Sequence, residues 1–174
     1  MFPSRARSTR RLATLAITVA LATALATALL APRTLAEAAA PAGHGEEVLA
    51  RVNVIRATPT ECGAEGEQPA APALALDERL NAAALAHAAD MRQQGAIDHV
   101  GSDGGTVADR LEREGYNWSA AGENVAYGYE SVAEVVEGWL ESDTHCVNMM
   151  RPAFEHLGVG RDGLYWALAL AAPL

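Results

Sequence analysis

Four side chains in this sequence carry the chemistry a cleft would need: His99, Glu123, Ser142 and His145. Each sits in polar or glycine-rich surroundings, namely Asp98 to Gly105, Gly122-Glu123-Asn124 and Ser142 to Cys146. All four read as loop or element-end positions, where polar groups can face a cleft. Two neutral imidazoles are good ligands for zinc and similar divalent ions, and a carboxylate can orient one ring through its second nitrogen. The same set offers a second chemistry, because Ser142, His145 and Glu123 are the residue types of a nucleophile, a base and an orienting acid. Against that, Ser142 has no nucleophile-elbow glycines and no oxyanion hole can be named. The spacing of positions 99, 123 and 145 matches no close-set metal motif, so it does not choose between the two.

Structural readings stand beside the chemical ones. Glu123 could simply accept backbone N–H bonds in a buried turn, and the two histidines could bond each other or Glu123 with no metal. Asn124 reads as structural, its amide bridging loop backbone. Asp103-Gly104-Gly105 reads as a turn, and Trp139 and Trp166 as core. His87 shares a helical stripe with Leu80, Ala84 and Met91, which makes it a hydrogen-bonded core histidine. His44 and His156 lack evident partners and read as surface residues.

The elements that must position these groups follow from periodicity and caps. A first helix is predicted over His44 to Ala57, with Val48, Val52 and Ile55 on one face. Thr58 to Pro72 has the Pro, Gly and Glu content of a loop, and it carries Cys62. Asp77 caps a helix that runs to about Gln94 and stops at Gly95. A third helix opens at Thr106 with a capping-box pattern to Asp109 and closes at Gly115; a loop then leads to a short strand over GENVAYG. Ser131 and Glu134 form the box of a fourth helix, whose apolar face holds Val132, Val135, Val136, Trp139 and Leu140. The polar run after it ends at Met149-Met150-Arg151-Pro152. Two strands, His156 to Gly160 and Leu164 to Leu170, flank a turn at Arg161-Asp162-Gly163. The second is nearly all apolar, as a strand covered on both faces would be. Helices followed by paired late strands point to an α-β-α sandwich of the α+β class.

Composition bounds the setting. The 174 residues have room for one domain. Arg5, Arg7, Arg10 and Arg11 precede an apolar run from Leu12 to Ala31, the pattern of a secretory signal, with cleavage expected after Ala36. Thr9-Arg10-Arg11-Leu12 faintly resembles a twin-arginine signal, and the apolar run left uncleaved would serve as an anchor. The expected organisation is a signal over 1–36, a flexible lead-in over 37–44 and one domain over 45–174. Loss of 1–36 removes five of the 13 basic residues and none of the 22 acidic ones, leaving eight against 22 and a net charge of −14. Such a surface repels phosphate backbones, so nucleic acid is excluded as a partner, and membrane contact is expected only through an uncleaved N-terminus. The chain has no lysine, which excludes Schiff-base chemistry and a lysine general base. Cys62 and Cys146, alone in an exported chain, read as one disulfide. It closes a loop of 84 positions, worth roughly 4–5 kcal/mol in the chain-entropy model.

From His87 to Trp166 the sequence resembles the CAP superfamily (cysteine-rich secretory proteins, antigen 5 and pathogenesis-related proteins) in its bacterial secreted branch. The matching pieces stand in order: Ala86 to Met91, Asp98 to Gly104, Arg110, Gly115-Tyr116, Gly122 to Ala126, Trp139 to Ser142, His145 to Met150, Phe154, Gly158 to Gly160 and Tyr165-Trp166. The resemblance implies a three-layer α-β-α sandwich with a central cleft, in which two histidines can hold a divalent metal. His99 and His145 match those histidines, and Glu123 matches the first of two acids. Ser142 stands where the second acid would be, and Glu141 beside it is turned by roughly 100° on a helix. Asp143-Thr144 also replaces the usual Pro-Gly. A two-histidine site is therefore expected in place of a four-residue one. The implied role is an exported, monomeric, non-enzymatic domain whose cleft takes a divalent metal such as zinc, or a small, apolar or lipid ligand. The alternatives are a hydrolase using Ser142, His145 and Glu123, or an extracellular or cell-wall interaction module.

Overall fold

The computed structural model describes residues 43–174, so the signal segment and most of the lead-in lie outside the described residues. Helix α1 spans His44–Arg56 and is followed by a small hairpin of β1 (Thr60–Glu61) and β2 (Glu67–Gln68). Next come β3 (Ala75–Leu76), α2 (Glu78–Gln94), α3 (Val107–Arg113) and β4 (Trp118–Tyr127). Helices α4 (Val132–Leu140) and α5 (Asp143–Met150) precede the hairpin of β5 (His156–Asp162) and β6 (Tyr165–Pro173). The main sheet runs β3-β5-β6-β4, antiparallel except where β3 lies parallel to β5. Among the described residues no helix is long and apolar enough to cross a membrane.

The caps act as the sequence predicts. Asp77 accepts from the backbone N–H of Arg79 at 2.9 Å, and Gly95 ends α2 at φ +69°, which only glycine adopts without strain. Asp109 accepts from Thr106 at the start of α3, and Ser131 and Glu134 bond reciprocally at the start of α4.

Strand β6 divides the core by side-chain size. Trp166, Leu168 and Leu170 face α1, α4 and α5, while Ala167, Ala169 and Ala171 face α2 and α3. Strand β5 continues that thin face with Gly158 and Gly160. A Cβ on Gly160 would overlap the backbone of Ala84 and Leu85, so α2 lies directly on the sheet. The thick face is filled by Val48, Val52, Val135, Val136, Trp139 and Met149. The three-layer α+β sandwich is thus built from one bulky and one flat side of a single sheet.

Three local expectations are corrected. Strand β4 begins at Trp118, where a loop up to Gly122 was expected, because pairing along β6 imposes extended backbone on small residues. The run after Ser142 is helix α5, so His145 sits inside a helix; Cys146, Met149 and Met150 bury its inner stripe. His156 is half-buried, with Nδ1 in a 2.7 Å hydrogen bond with the Tyr116 hydroxyl. Burial pushes the pKa of that phenol up to about 12.

Candidate functional site

The site is organised by two consecutive residues on an edge strand. Side chains alternate along β4, so Ala121 and Val125 face the α2–α3 layer, while Ala120 and Ala126 face the α4–α5 layer. Glu123 and Asn124 therefore address opposite layers, and both are buried.

On the α2–α3 side, Glu123 holds an ion pair and a histidine. Its Oε2 accepts from Arg110 Nη2 at 2.6 Å, with both side chains almost fully buried. Its Oε1 lies 2.9 Å from His99 Nδ1. Arg110 also donates to the carbonyls of Gly105 at 3.0 Å and His99 at 3.2 Å, so one guanidinium fastens both ends of the loop that carries His99. His87 completes the group, with Nε2 3.7 Å from Glu123 Oε1 and 2.8 Å from the Asp98 carbonyl. A carbonyl only accepts, so the Nε2 proton points at Asp98.

On the α4–α5 side, amides fix the second histidine. Asn124 Nδ2 donates to the His145 carbonyl at 3.0 Å. Asn148 Nδ2 donates to Asn124 Oδ1 at 3.0 Å and to the Glu123 carbonyl at 3.2 Å, which satisfies an acceptor on the outer edge of β4. Three further anchors hold α5. The Cys62–Cys146 disulfide, with Cα atoms 5.5 Å apart, ties it to the loop after α1. Asp143 accepts from Ala64 N–H at 3.1 Å. Arg56, completely buried on α1, donates to the carbonyls of Met149 at 2.6 Å and Arg151 at 3.0 Å, placing a cation at the helix C-terminus.

The two histidines are tuned in opposite directions. The hydrogen bond to Glu123 raises the His99 pKa above 6.5, while burial, assisted by the nearby His99 charge, lowers that of His145. The Glu123 contact therefore steadies the metal-free fold most below pH 6.5, and this contribution fades as pH rises through the raised His99 pKa.

Of the residues singled out by sequence, His99 and Glu123 are directly bonded, and His145 lies close enough to feel the His99 charge. Ser142 is the N-cap residue of α5 without a side-chain cap bond, and among the described residues no hydrogen bond joins its hydroxyl to His145. Glu123 is committed to His99 and Arg110, so it does not orient His145. Sequence reasoning missed Arg110 and His87 as partners of Glu123. The signal for Arg110 was its place between Val107 and Leu111, a charge on an inward stripe that demands a buried counter-charge. Among the described residues no three His, Cys, Asp or Glu side chains are gathered to hold a metal ion.

A four-stranded sheet sandwiched by helices, with a Glu-Asn pair on its edge strand holding a histidine in each layer, defines the class. The chain belongs to the cysteine-rich secretory protein (CAP) family, whose profile matches residues 49–163. It is 34% identical over 121 residues to YlbC of Bacillus subtilis, an uncharacterized membrane protein, covering 70% of this chain and 32% of that one. It is 34% identical over 115 residues to YkwD of the same organism, an uncharacterized protein, covering 65% and 43%. An extracellular SCP-domain protein of Bacillus anthracis superposes with a TM-score of 0.65 at 27% identity, covering 74% of this chain and 40% of that one. The chain thus spans from about a third to somewhat over two fifths of the length of these relatives.

Proposed function

We propose that the protein is an exported CAP-domain binding protein whose cleft holds a divalent metal through His99 and His145. The observation that carries this reading is the Glu123–His99 bond. A carboxylate on Nδ1 fixes the tautomer and leaves the Nε2 lone pair available as a ligand, the outer-shell arrangement of metal-bound histidines. The lowered pKa of His145 keeps its ring neutral and available. Two protein ligands leave coordination positions open, so an ion held there would present them to an oxygen- or nitrogen-bearing small ligand. Ser142 supplies no carboxylate, which supports a two-histidine set over a four-residue one. The signal-like N-terminus and the disulfide support export. A hydrolase reading has less support, since Glu123 faces His99 and Arg110.

Calorimetric zinc titration of the mature protein should show one site in the micromolar range, lost in His99→Ala and in His145→Ala. Affinity should climb as pH rises through the raised His99 pKa and fall below it, because the metal must displace the Nε2 proton of the imidazolium form that Glu123 stabilises. Binding retained in both variants, or absent from the parent protein, refutes the assignment.

A further inference from the structure

Tyr127 and Tyr165 stand directly opposite each other at the end of the β4–β6 pairing. On the next rung Gly128 donates to the Leu164 carbonyl at 3.0 Å. The two tyrosines therefore occupy a pair whose backbones exchange no hydrogen bond, where side chains lie closer together. Their ring centroids are 4.6 Å apart and the planes are tilted by 47°. Tyr127 is 53% exposed and Tyr165 is half-buried, so solvent and small solutes reach the pair. Among the described residues no hydrogen bond holds either phenol, whereas that of Tyr116 is bonded to His156.

The other side chains that could give up an electron are placed differently. Tyr116 is buried, and the Tyr129 hydroxyl lies so close to α4 that a Cβ on Gly138 would overlap it. Trp139 and Trp166 are buried in the core. Trp118 is half-buried, with its indole N–H donating to Glu112 at 3.2 Å. A phenoxyl radical on any of these has no second phenol in ring contact. A radical on Tyr127 has one, already tilted at an angle that a bond between two aromatic rings accepts.

We propose that Tyr127 and Tyr165 form an oxidative modification site, cross-linked to dityrosine by a peroxide and a haem peroxidase. Each phenol loses one electron and its hydroxyl proton, giving two phenoxyl radicals. The radicals couple through the ring carbons beside the oxygens, forming one carbon–carbon bond. The hydrogens on those carbons are then lost while solvent protons return to the oxygens, so both rings become aromatic again. The protein is oxidised by two electrons and loses two hydrogens, and one hydrogen peroxide is reduced to two waters. The bond joins the edge strand that carries Glu123 and Asn124 to a central strand of the sheet. It does not depend on metal at His99 and His145.

The test treats the metal-free mature protein with hydrogen peroxide and a haem peroxidase, then isolates the monomer. Dityrosine fluorescence is expected in that monomer, together with a mass lower by two hydrogens. After disulfide reduction and cleavage at arginine, mass spectrometry should find the peptides 114–161 and 162–174 joined. Tyr127→Phe and Tyr165→Phe, which keep the ring packing, should each abolish the product, and Tyr129→Phe should leave it unchanged. The cross-linked monomer should melt higher than the untreated protein by roughly 5–10 °C, since the new bond restricts the unfolded chain as a disulfide does. The proposal is overturned if the fluorescence appears only in covalent dimers or not at all. It is equally overturned if either Phe variant still forms the joined peptides, or if the cross-linked monomer melts no higher than the parent.

Discussion

Glu123→Ala should destabilise the domain by about 3–5 kcal/mol, the cost of removing one partner from a buried ion pair. The physical reason lies in what remains. Arg110 is only 6% exposed, and without the carboxylate its charge has two carbonyl acceptors and no counter-ion. The loop bearing His99 loses its Nδ1 contact at the same time, so zinc affinity should fall even at temperatures where the variant stays folded. Differential scanning calorimetry should show a drop in Tm of roughly 10 °C or more. The double variant Glu123→Leu/Arg110→Met provides the control, because replacing both members of a buried pair by apolar groups is often close to neutral. It should recover most of the lost stability and none of the zinc affinity. A Glu123→Ala Tm within a degree or two of the parent would show that the pair does not hold the layers together.

The second large effect is expected from the disulfide. Cys62→Ala/Cys146→Ala opens a cross-link over 84 positions, and the chain-entropy model gives a loss of about 4–5 kcal/mol. The loss should also have a local face. Cys146 follows His145 directly, and the bridge anchors α5 where Asp143 reaches Ala64. Hydrogen exchange should therefore rise first in the Thr58–Gln68 segment and the first turn of α5, while α2 on its glycine-alanine platform stays protected. Chemical denaturation of the two proteins measures the total. A difference below about 1 kcal/mol would mean that Arg56, Asn124 and Asn148 suffice to hold α5, and that the unfolded chain gains little freedom.

How legible the fold was depended on whether each element carried its own signals. Helix α2 has a cap, a stop and an apolar stripe, and α4 has a capping box and a broad apolar face, so both could be read directly. Strand β6 announced itself as a nearly all-apolar run, as a strand covered on both faces would be. Helix α5 could not be read in the same way. Its opening residues are polar and it is eight residues long, and tertiary contacts through Arg56, Asn124 and Cys62 stabilise it from outside. The first half of β4 was hidden for a related reason. Ser119, Ala120 and Ala121 have no strand preference, and only the partner strand makes them extended.

Within the candidate site, His99, Glu123, Ser142 and His145 were nameable from residue type and from the ordered family motifs, whereas their connections were not. Asn124 was read as a structural amide, and it does bridge backbone, but to α5 in place of a loop. His87 was read as a core histidine, and it is buried and hydrogen-bonded to Asp98. Its nearness to Glu123 depends on α2 lying flat on the sheet, which rests on Gly158 and Gly160 far away in sequence. Linear spacing cannot show such a relation.

The most direct test of a two-histidine metal site is nitrogen-15 NMR of the histidine rings in the mature protein as zinc is added. His99 Nε2 and one ring nitrogen of His145 should shift together to metal-bound positions, while His99 Nδ1 keeps its proton toward Glu123. Zinc that shifts neither ring, or that removes the Nδ1 proton and binds there, would contradict it.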